Sequence, residues 1–338
     1  ERKTEKVSKN LRYEVMLQLE AAEANSAVNK KHKLYLSRKL RKVGNMIAFD
    51  KMLEAEYISH PQEIRNYLRS LDEVFISLMA YYMKRNRIEA AYFPYIIKKY
   101  RVIAYRSFYS LEGALLELLN EPSIYCRENA MQALYTTGDV DCIIKAIKTI
   151  DRSGLFYHRK LLSDGLLNFA GSGNTLGKKI VENFFDFSVG MQVTLLDYLR
   201  FSGSEYQKFA LSLLINEDLN DEIRYAAIRY LGKYPFSKAY EALCGFAEEN
   251  SEQKWEYAAI ASTALGSYPC ENTVHILKKN LYSRNWYVRL NSAASLKNLG
   301  ITYSELSDII DGNDRYASEI IRYCLQRDYS GEKEAVHI

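Results

Sequence analysis

A leucine that recurs at almost constant spacing constrains the fold of this chain more than any other feature. Successive leucines of the series are separated by 32, 33, 32, 34 and 31 residues: Leu134, Leu166, Leu199, Leu231, Leu265 and Leu296. A glycine, alanine or proline follows each of them after four residues, where a helix would end. Repeats of about this length are supersecondary units that bury their apolar faces against their neighbours. The spacing therefore predicts an array of stacked repeats.

Each unit of the array has the sequence pattern of two antiparallel helices. In the fourth unit, Ile223, Ala227, Ile228 and Leu231 recur at the spacing of one helical face, and a proline stands where this first helix ends. A second amphipathic stretch, SKAYEALCGFAEEN, follows it. The pattern predicts an all-α superhelix, or solenoid, of six helix pairs over residues 121–330, in which the final stretch ASEIIRYCLQRD is a capping helix.

Residues 1–120 lack the repeat but have helical periodicity. The pattern predicts one continuous helix through KLYLSRKLRKVGNMIAFDKMLEAE and another long helix over about residues 62–86. The inward face of the first of these is predicted to carry Leu36, Leu40, Val43 and Ile47. We interpret the segment as a helical N-terminal cap, because a solenoid must shield its terminal apolar face.

The charge is distributed unevenly between these two segments. Residues 1–120 carry 22 Lys+Arg and 14 Asp+Glu, whereas residues 121–338 carry 24 and 28. Contacts with phosphate groups or anionic lipid are therefore expected in the first segment.

Composition and motif searches exclude several classes of protein. Only 5 Pro and 16 Gly in 338 residues exclude a collagen-like chain, and 13% aromatic residues exclude a wholly disordered one. The 5 Cys are scattered without a CxxC, and the sequence contains no HExxH, GxSxG, P-loop or GxGxxG motif. We therefore predict a protein that is not an enzyme and has no metal site or cofactor.

Two features of the sequence indicate where in the cell the protein lies: its apolar runs and its first residues. No run approaches the roughly 18 apolar residues that cross a bilayer, which favours a cytoplasmic protein. The start, ERKTEKVSK, is basic, as are cytoplasmic segments next to membrane spans. A second interpretation therefore stays open, in which an anchor that precedes Glu1 holds the protein at the cytoplasmic face of the membrane.

Three first helices resemble a known repeat family. The stretches DEIRYAAIRYLGKYP, WEYAAIASTALGSYP and NWYVRLNSAASLKNLG are similar to HEAT repeats, particularly the bacterial HEAT-like type first named from phycobilisome lyases. Asp221, the pair Ile223-Arg224 and the pair Val288-Arg289 match that type. The resemblance covers about residues 122–311 and implies a scaffold that binds a protein partner.

Two further stretches, SIYCRENAMQAL and HRKLLSDGLL, resemble bacterial HEAT proteins that are tethered to the membrane. Those proteins accompany membrane glycosyltransferases of envelope polysaccharide synthesis, which implies a membrane enzyme as the partner. The alternative function is nucleic-acid binding of the DNA-repair type found in some HEAT-like proteins. The excess of acids after residue 120 counts against this alternative.

Three sets of residues are candidate sites. An arginine stands seven residues before four of the repeat leucines: Arg127, Arg159, Arg224 and Arg289. Because this series has the period of the fold, we interpret it as a structural ladder that bonds to carbonyls or acids of neighbouring units, with a ligand-facing ladder as the alternative.

The other two sets are candidate partner-binding residues. Trp255 and Trp286 begin corresponding helices, and with Tyr257 and Tyr287 they would form an exposed aromatic strip unless they pack in the core. The run Lys30–Lys42 contains no acid, and its outer face is predicted to carry Arg38, Lys39, Arg41 and Lys42. These four would contact a membrane surface or a partner's acidic face, nucleic acid being less favoured, unless the run is only a solvated face.

Overall fold

The computed structural model describes residues 2–23, 28–85, 87–104, 110–249 and 251–326. No described residue lies in a β-strand, and the regular structure is helical throughout, so the prediction of an all-α fold is confirmed. None of the described helices is long and apolar enough to cross a lipid bilayer. The chain packs as two units, residues 1–187 and residues 188–338.

The described part of the first unit is a succession of mostly short helices. These are α1 (Arg2–Glu23), α2 (Lys30–Lys39), α3 (Val43–Ser59), α4 (Pro61–Arg69), α5 (Asp72–Tyr82), α6 (Arg87–Lys99), α7 (Ser110–Leu118), α8 (Ile124–Leu134), α9 (Val140–Ser153), α10 (Arg159–Leu167) and α11 (Gly173–Glu182). Helix α1 packs against α3, and α6 packs against α8. The boundary predicted at residues 120/121 lies inside this unit, between α7 and α8, and stays a prediction of where the repeats begin.

The continuous helix predicted through Lys30–Lys42 is wrong, because α2 ends at Lys39 and α3 begins at Val43. The Tyr82 hydroxyl donates a hydrogen bond to the Leu40 carbonyl oxygen over 2.7 Å, and Asn45 Nδ2 donates to the Lys39 carbonyl oxygen over 2.7 Å. These side chains satisfy carbonyls that lose their helical partners at the break. A bond from the distant Tyr82 and one from the nearby Asn45 therefore stabilise the end of α2.

The break changes which side chains reach the core. Leu36 and Leu40 are buried as predicted, but Val43 and Ile47 are only partly buried. Fully buried side chains in α3 include Met46 and Phe49. The long helix predicted over residues 62–86 is likewise wrong, because α4 ends at Arg69 and α5 begins at Asp72.

The described part of the second unit consists of helices that alternate in a regular order. These are α12 (Val189–Ser202), α13 (Gln207–Ile215), α14 (Asp221–Lys233), α15 (Tyr240–Ala247), α16 (Trp255–Leu265), α17 (Glu271–Asn280), α18 (Trp286–Asn298), α19 (Ser307–Ile310) and α20 (Arg315–Gln326). Each of the six predicted pairs, from α8–α9 to α18–α19, is present as two successive helices. Helix α20 follows them and packs against α18 and α19.

The leucines that define the repeat are core residues. None of the six is more than 1% exposed: Leu134, Leu166, Leu199, Leu231, Leu265 and Leu296. Their predicted burial is confirmed. The periodic spacing therefore identifies the position of each first helix that faces the interior.

The first helices of the second unit lie side by side and parallel. Helix α16 packs against both α14 and α18. At their starts, the rings of Tyr225 and Tyr257 are 4.7 Å apart. Near their ends, a Cβ atom placed on Gly232 would lie only 2.9 Å from the Ala264 Cα atom, so α14 and α16 approach closely there. Small side chains at such contacts allow the close spacing.

Tyrosine hydroxyls join successive repeats of the second unit. The Tyr230 hydroxyl accepts a hydrogen bond from the Tyr206 backbone N–H over 3.0 Å and donates to the Gly203 carbonyl oxygen over 2.8 Å. The Tyr268 hydroxyl accepts from the Phe236 N–H and donates to the Leu231 carbonyl oxygen, each over 3.0 Å. Part of the large tyrosine content, 28 residues, therefore serves to satisfy backbone groups at helix ends and in the loops between helices.

Candidate interaction sites

A basic groove lies where α2 meets α3. It has a volume of about 450 Å³ and is lined by Lys31, Leu34, Tyr35, Arg38, Lys39, Lys42 and Asn45. Four of these seven residues are cationic and none is acidic. The groove therefore attracts anionic groups, and this lining is what we call the basic groove below.

The break between α2 and α3 helps to form this groove. The side chain of Asn29 caps α2 by accepting a hydrogen bond from the Lys31 N–H over 2.8 Å, and Asn45 holds the far end of α2 through the Lys39 carbonyl oxygen. Leu34 is 52% exposed within the groove although it is apolar. Lys39 Nζ lies 5.8 Å from the centre of the Tyr35 ring.

Two of the remaining cations of the run, Lys33 and Arg41, have other partners. Lys33 Nζ lies 3.7 Å from an Asp72 carboxylate oxygen and 3.8 Å from a Glu73 oxygen. The Arg41 guanidinium lies over the Tyr81 ring at 5.3 Å, and the same ring carries Arg85 at 4.5 Å. Of the four residues predicted on the outer face, three line the groove and Arg41 does not.

The groove also contains residues that sequence reasoning missed. Leu34, Tyr35 and Asn45 were not predicted as site residues. Some groove residues recur every three or four positions and therefore lie on one face of α2: Lys31, Leu34 or Tyr35, and Arg38. That spacing was a usable signal, whereas the position of Asn45 depends on the break between the helices.

An aromatic cluster of Trp255, Trp286 and Tyr287 lies at the starts of α16 and α18. The rings of Trp255 and Tyr287 are stacked, with centres 5.4 Å apart and planes at 18°, and Trp286 meets Tyr287 edge-on at 5.1 Å. Trp286 is 49% exposed and Tyr287 is 40% exposed, while Trp255 packs partly against Ala258 and Val288. Three of the four predicted aromatic residues therefore meet at the surface.

The prediction that Tyr257 belongs to this exposed strip is wrong. Its side chain is 1% exposed, its ring stacks on Phe246 at 4.7 Å, and its hydroxyl donates a hydrogen bond to an Asp221 carboxylate oxygen over 2.5 Å. Residues two positions apart on a helix do not share a face. Tyr257 therefore lies on the buried side of the helix that Trp255 begins.

Arg127 makes contacts of the structural kind predicted for the arginine series. Its guanidinium donates hydrogen bonds to the carbonyl oxygens of Glu121, Pro122 and Phe156 over 2.6, 2.9 and 2.8 Å. The first two acceptors precede α8, and the third lies between α9 and α10. The side chain therefore joins two loops of neighbouring helix pairs, which fits its 4% exposure.

The later members of the series differ from one another. Arg224 Nε donates to the Leu214 carbonyl oxygen over 3.0 Å, and Arg289 Nη1 donates to the Ser283 carbonyl oxygen over 2.5 Å. Each acceptor belongs to the end of the preceding helix or to the loop after it. Arg159 is exposed and has no polar partner among the described residues, so the ladder does not extend to it.

Comparison with known proteins gives little further information. No protein-family model and no curated protein matches the chain. Among solved structures, it is similar to an engineered protein crystallised by the Northeast Structural Genomics Consortium. The two share 15% sequence identity over 94% of this chain and 100% of that one, with a TM-score of 0.36. A likeness at this level assigns neither fold nor function.

Proposed function

We propose that the protein is a HEAT-like α-α superhelix that acts as a non-enzymatic interaction scaffold, and that its first unit attaches to an anionic membrane surface through the basic groove. The observation that carries the proposal is the lining of the groove, which has four cations and no acid. The buried leucines and the parallel first helices support the repeat architecture.

The apolar residues of the groove favour a membrane over nucleic acid. Leu34 is 52% exposed among the cations, beside Tyr35. Apolar and aromatic side chains gain by entering the boundary between lipid headgroups and acyl chains. A nucleic-acid backbone offers phosphates to the cations but no comparable apolar layer to Leu34.

The charge of the two units supports attachment by the first one. Residues 1–187 carry 30 Lys+Arg and 22 Asp+Glu, whereas residues 188–338 carry 16 and 20. Each basic group near an anionic membrane contributes about 1 kcal/mol, so three or four groups in the groove give salt-sensitive attachment of ~3–4 kcal/mol.

The protein partner of the scaffold follows from resemblance. The stretches SIYCRENAMQAL and HRKLLSDGLL are similar to membrane-tethered bacterial HEAT proteins, and we propose a membrane enzyme, such as a glycosyltransferase of envelope polysaccharide synthesis, as the partner. Attachment through the basic groove would bring the scaffold to the cytoplasmic surface on which such a partner is exposed.

The test is sedimentation with vesicles that contain 30% phosphatidylserine in phosphatidylcholine, compared with phosphatidylcholine alone. The triple variant Arg38→Glu, Lys39→Glu, Lys42→Glu is expected to lose binding by a factor on the order of 100. The control variant Arg152→Glu, Lys160→Glu, Lys178→Glu makes the same change of charge at exposed positions elsewhere in the first unit and should retain most of the binding.

The exposed leucine distinguishes the membrane from other anions. Leu34→Ser leaves the charge unchanged and is expected to weaken vesicle binding several-fold, without changing the signal measured with a DNA duplex. A parent protein that binds the duplex and ignores the vesicles would favour the nucleic-acid function instead. Equal losses in the two triple variants would show that diffuse charge, and not the groove, is responsible.

A further inference from the structure

The starts of α14, α16, α18 and α20 form one acidic edge of the second unit. Neighbouring starts touch: Tyr225 meets Tyr257, Trp255 meets Tyr287, and the Arg289 guanidinium lies 5.3 Å from the Tyr316 ring. We call the residues at 216–222, 248–249, 251–256, 281–287 and 311–316 the helix-start edge.

The described residues of the helix-start edge are predominantly acidic. The acids are Glu217, Asp218, Asp221, Glu222, Glu248, Glu249, Glu252, Glu256, Asp311 and Asp314. The basic residues are Lys254, Arg284 and Arg315. Ten of the 20 acids after residue 187 therefore lie along this edge. Four of them already pair with cations of the chain: Asp221 with Arg224, Glu248 with Lys279, Glu252 with Arg284 and Asp311 with Arg322. The remaining excess of negative charge favours a partner that supplies positive charge.

Several of these carboxylates converge on one tyrosine. Burial and then the charges of Glu256, Asp221 and Glu222 raise the pKa of Tyr225 to about 12. The Asp221 carboxylate at the start of α14 accepts a hydrogen bond from the Tyr257 hydroxyl of α16, so it lies between these two helix starts. Glu222 and Glu256 have no ion pair among the described residues.

The same edge exposes aromatic faces. Trp286 and Tyr287 are 49% and 40% exposed, whereas the Tyr316 ring, which is 66% exposed, already carries the Arg289 guanidinium at 5.3 Å. No cation lies over Trp286 in the described part of the chain. Phe201 at the end of α12 is equally exposed, at 50%, but Lys233 and Arg200 already cover its ring at 4.5 and 4.7 Å.

We propose that the helix-start edge binds an arginine- and lysine-rich segment of a partner protein. A guanidinium stacks on a tryptophan face while its N–H groups pair with carboxylates, and the edge contains both kinds of group. An anionic partner would be repelled, and an apolar one would leave carboxylates such as Glu222 and Glu256 without partners. The inference concerns the second unit and does not depend on the basic groove.

The probe for this proposal is a fluorescein-labelled nonapeptide of alternating Arg, Lys and Gly, with an Asp/Glu/Gly peptide as the negative probe. Binding to the full chain is followed by fluorescence anisotropy at several salt concentrations. Trp286→Ala is expected to weaken binding of the basic peptide about three- to fivefold. Glu222→Gln with Glu256→Gln is expected to weaken it by a similar factor and to reduce the salt dependence.

Matched controls make the test specific to the edge. Phe201→Ala removes an aromatic side chain of the same exposure, and Glu241→Gln with Glu271→Gln removes two exposed acids from α15 and α17. Neither control should change binding by as much as twofold. The proposal is overturned if these controls weaken binding as much as the edge variants, or if the edge variants bind the basic peptide like the parent.

Discussion

The second unit repeats one arrangement, whereas the first unit changes its arrangement from helix to helix. In the second unit, α14, α16 and α18 run parallel, each with exposed residues at its start and a buried leucine near its end. In the first unit, α2 stops after ten residues because Tyr82 and Asn45 bind its terminal carbonyls. The local sequence pattern therefore predicts helix length in the second unit, where successive helices meet the same kind of neighbour. It fails in the first unit, where each helix meets a different one.

The two units also differ in charge. The first carries an excess of cations, four of which line one groove, while the second carries an excess of acids, many of which lie at helix starts. A single chain therefore offers surfaces of opposite sign, for which we propose an anionic membrane and a basic segment as the respective partners. Three measurements would break or sharpen the comparison of the two units.

The largest effect is expected from the repeat leucines. Leu231→Ala should lower the free energy of unfolding by about 2–5 kcal/mol, because the side chain is fully buried in α14. The predicted continuous helix also placed Val43 inward. Val43→Ala should nevertheless lower the free energy of unfolding by about 1 kcal/mol or less, since Val43 is only partly buried. Urea unfolding followed by circular dichroism measures both. Equal costs would contradict the contrast between the units.

An intermediate effect is expected from the arginine series. Arg224→Ala removes a hydrogen bond to the Leu214 carbonyl oxygen and the packing of the guanidinium against Phe246, at a cost of about 1–3 kcal/mol. Arg159→Ala should change stability by no more than about 0.5 kcal/mol, because Arg159 is exposed. Thermal melts of both variants test this order. A large loss of stability in Arg159→Ala would show that Arg159 has the same structural role as the other arginines of the series.

The smallest effect concerns pH and the first unit. Burial lowers the pKa of His32 to about 4 from an ordinary 6.5, and its Nδ1 atom has no hydrogen-bond partner. Between these two values the unfolded chain binds more protons than the folded one, so stability falls as the pH is lowered from 6.5 toward 4.

Hydrogen exchange at pH 7 and pH 5 measures this dependence separately in each unit. Amides of α2 should lose protection at pH 5 in the parent and lose less in His32→Gln. His275→Gln, at an exposed position of the second unit, is the control and should behave like the parent. Unchanged protection of α2 in the parent at pH 5 would show that His32 does not weaken the fold in acid.

Much of the second unit could be predicted from the sequence because its contacts recur. The spacing of the leucines located each first helix, and the position of Trp255 and Trp286 at helix starts followed from the same alignment. Tyr257 was wrongly predicted to be exposed, because a residue two positions after Trp255 lies on the buried side of the helix. The hydroxyls of Tyr230 and Tyr268 bind loops about 30 residues away, which no local pattern indicates.

The basic groove could be predicted only in part. Arg38, Lys39 and Lys42 were recognised from the run of cations, but the position of Asn45 and the separate contact of Arg41 with Tyr81 depend on a break between helices. That break is caused by side chains from other segments, Tyr82 among them. The helix-start edge shows the same limit, since its acids come from three stretches that only folding brings together.

The parallel packing of α14, α16 and α18 has a consequence for what can lie across the helix-start edge. Helices packed side by side have axes about 8–10 Å apart, so their starts form a row with about that period. A polyproline II segment completes one turn of three residues in about 9 Å, whereas side chains on one face of an extended strand recur about every 7 Å. A partner that places a basic residue at every third position therefore stays in step with the row, and one that alternates at every second position falls out of step after a few helices.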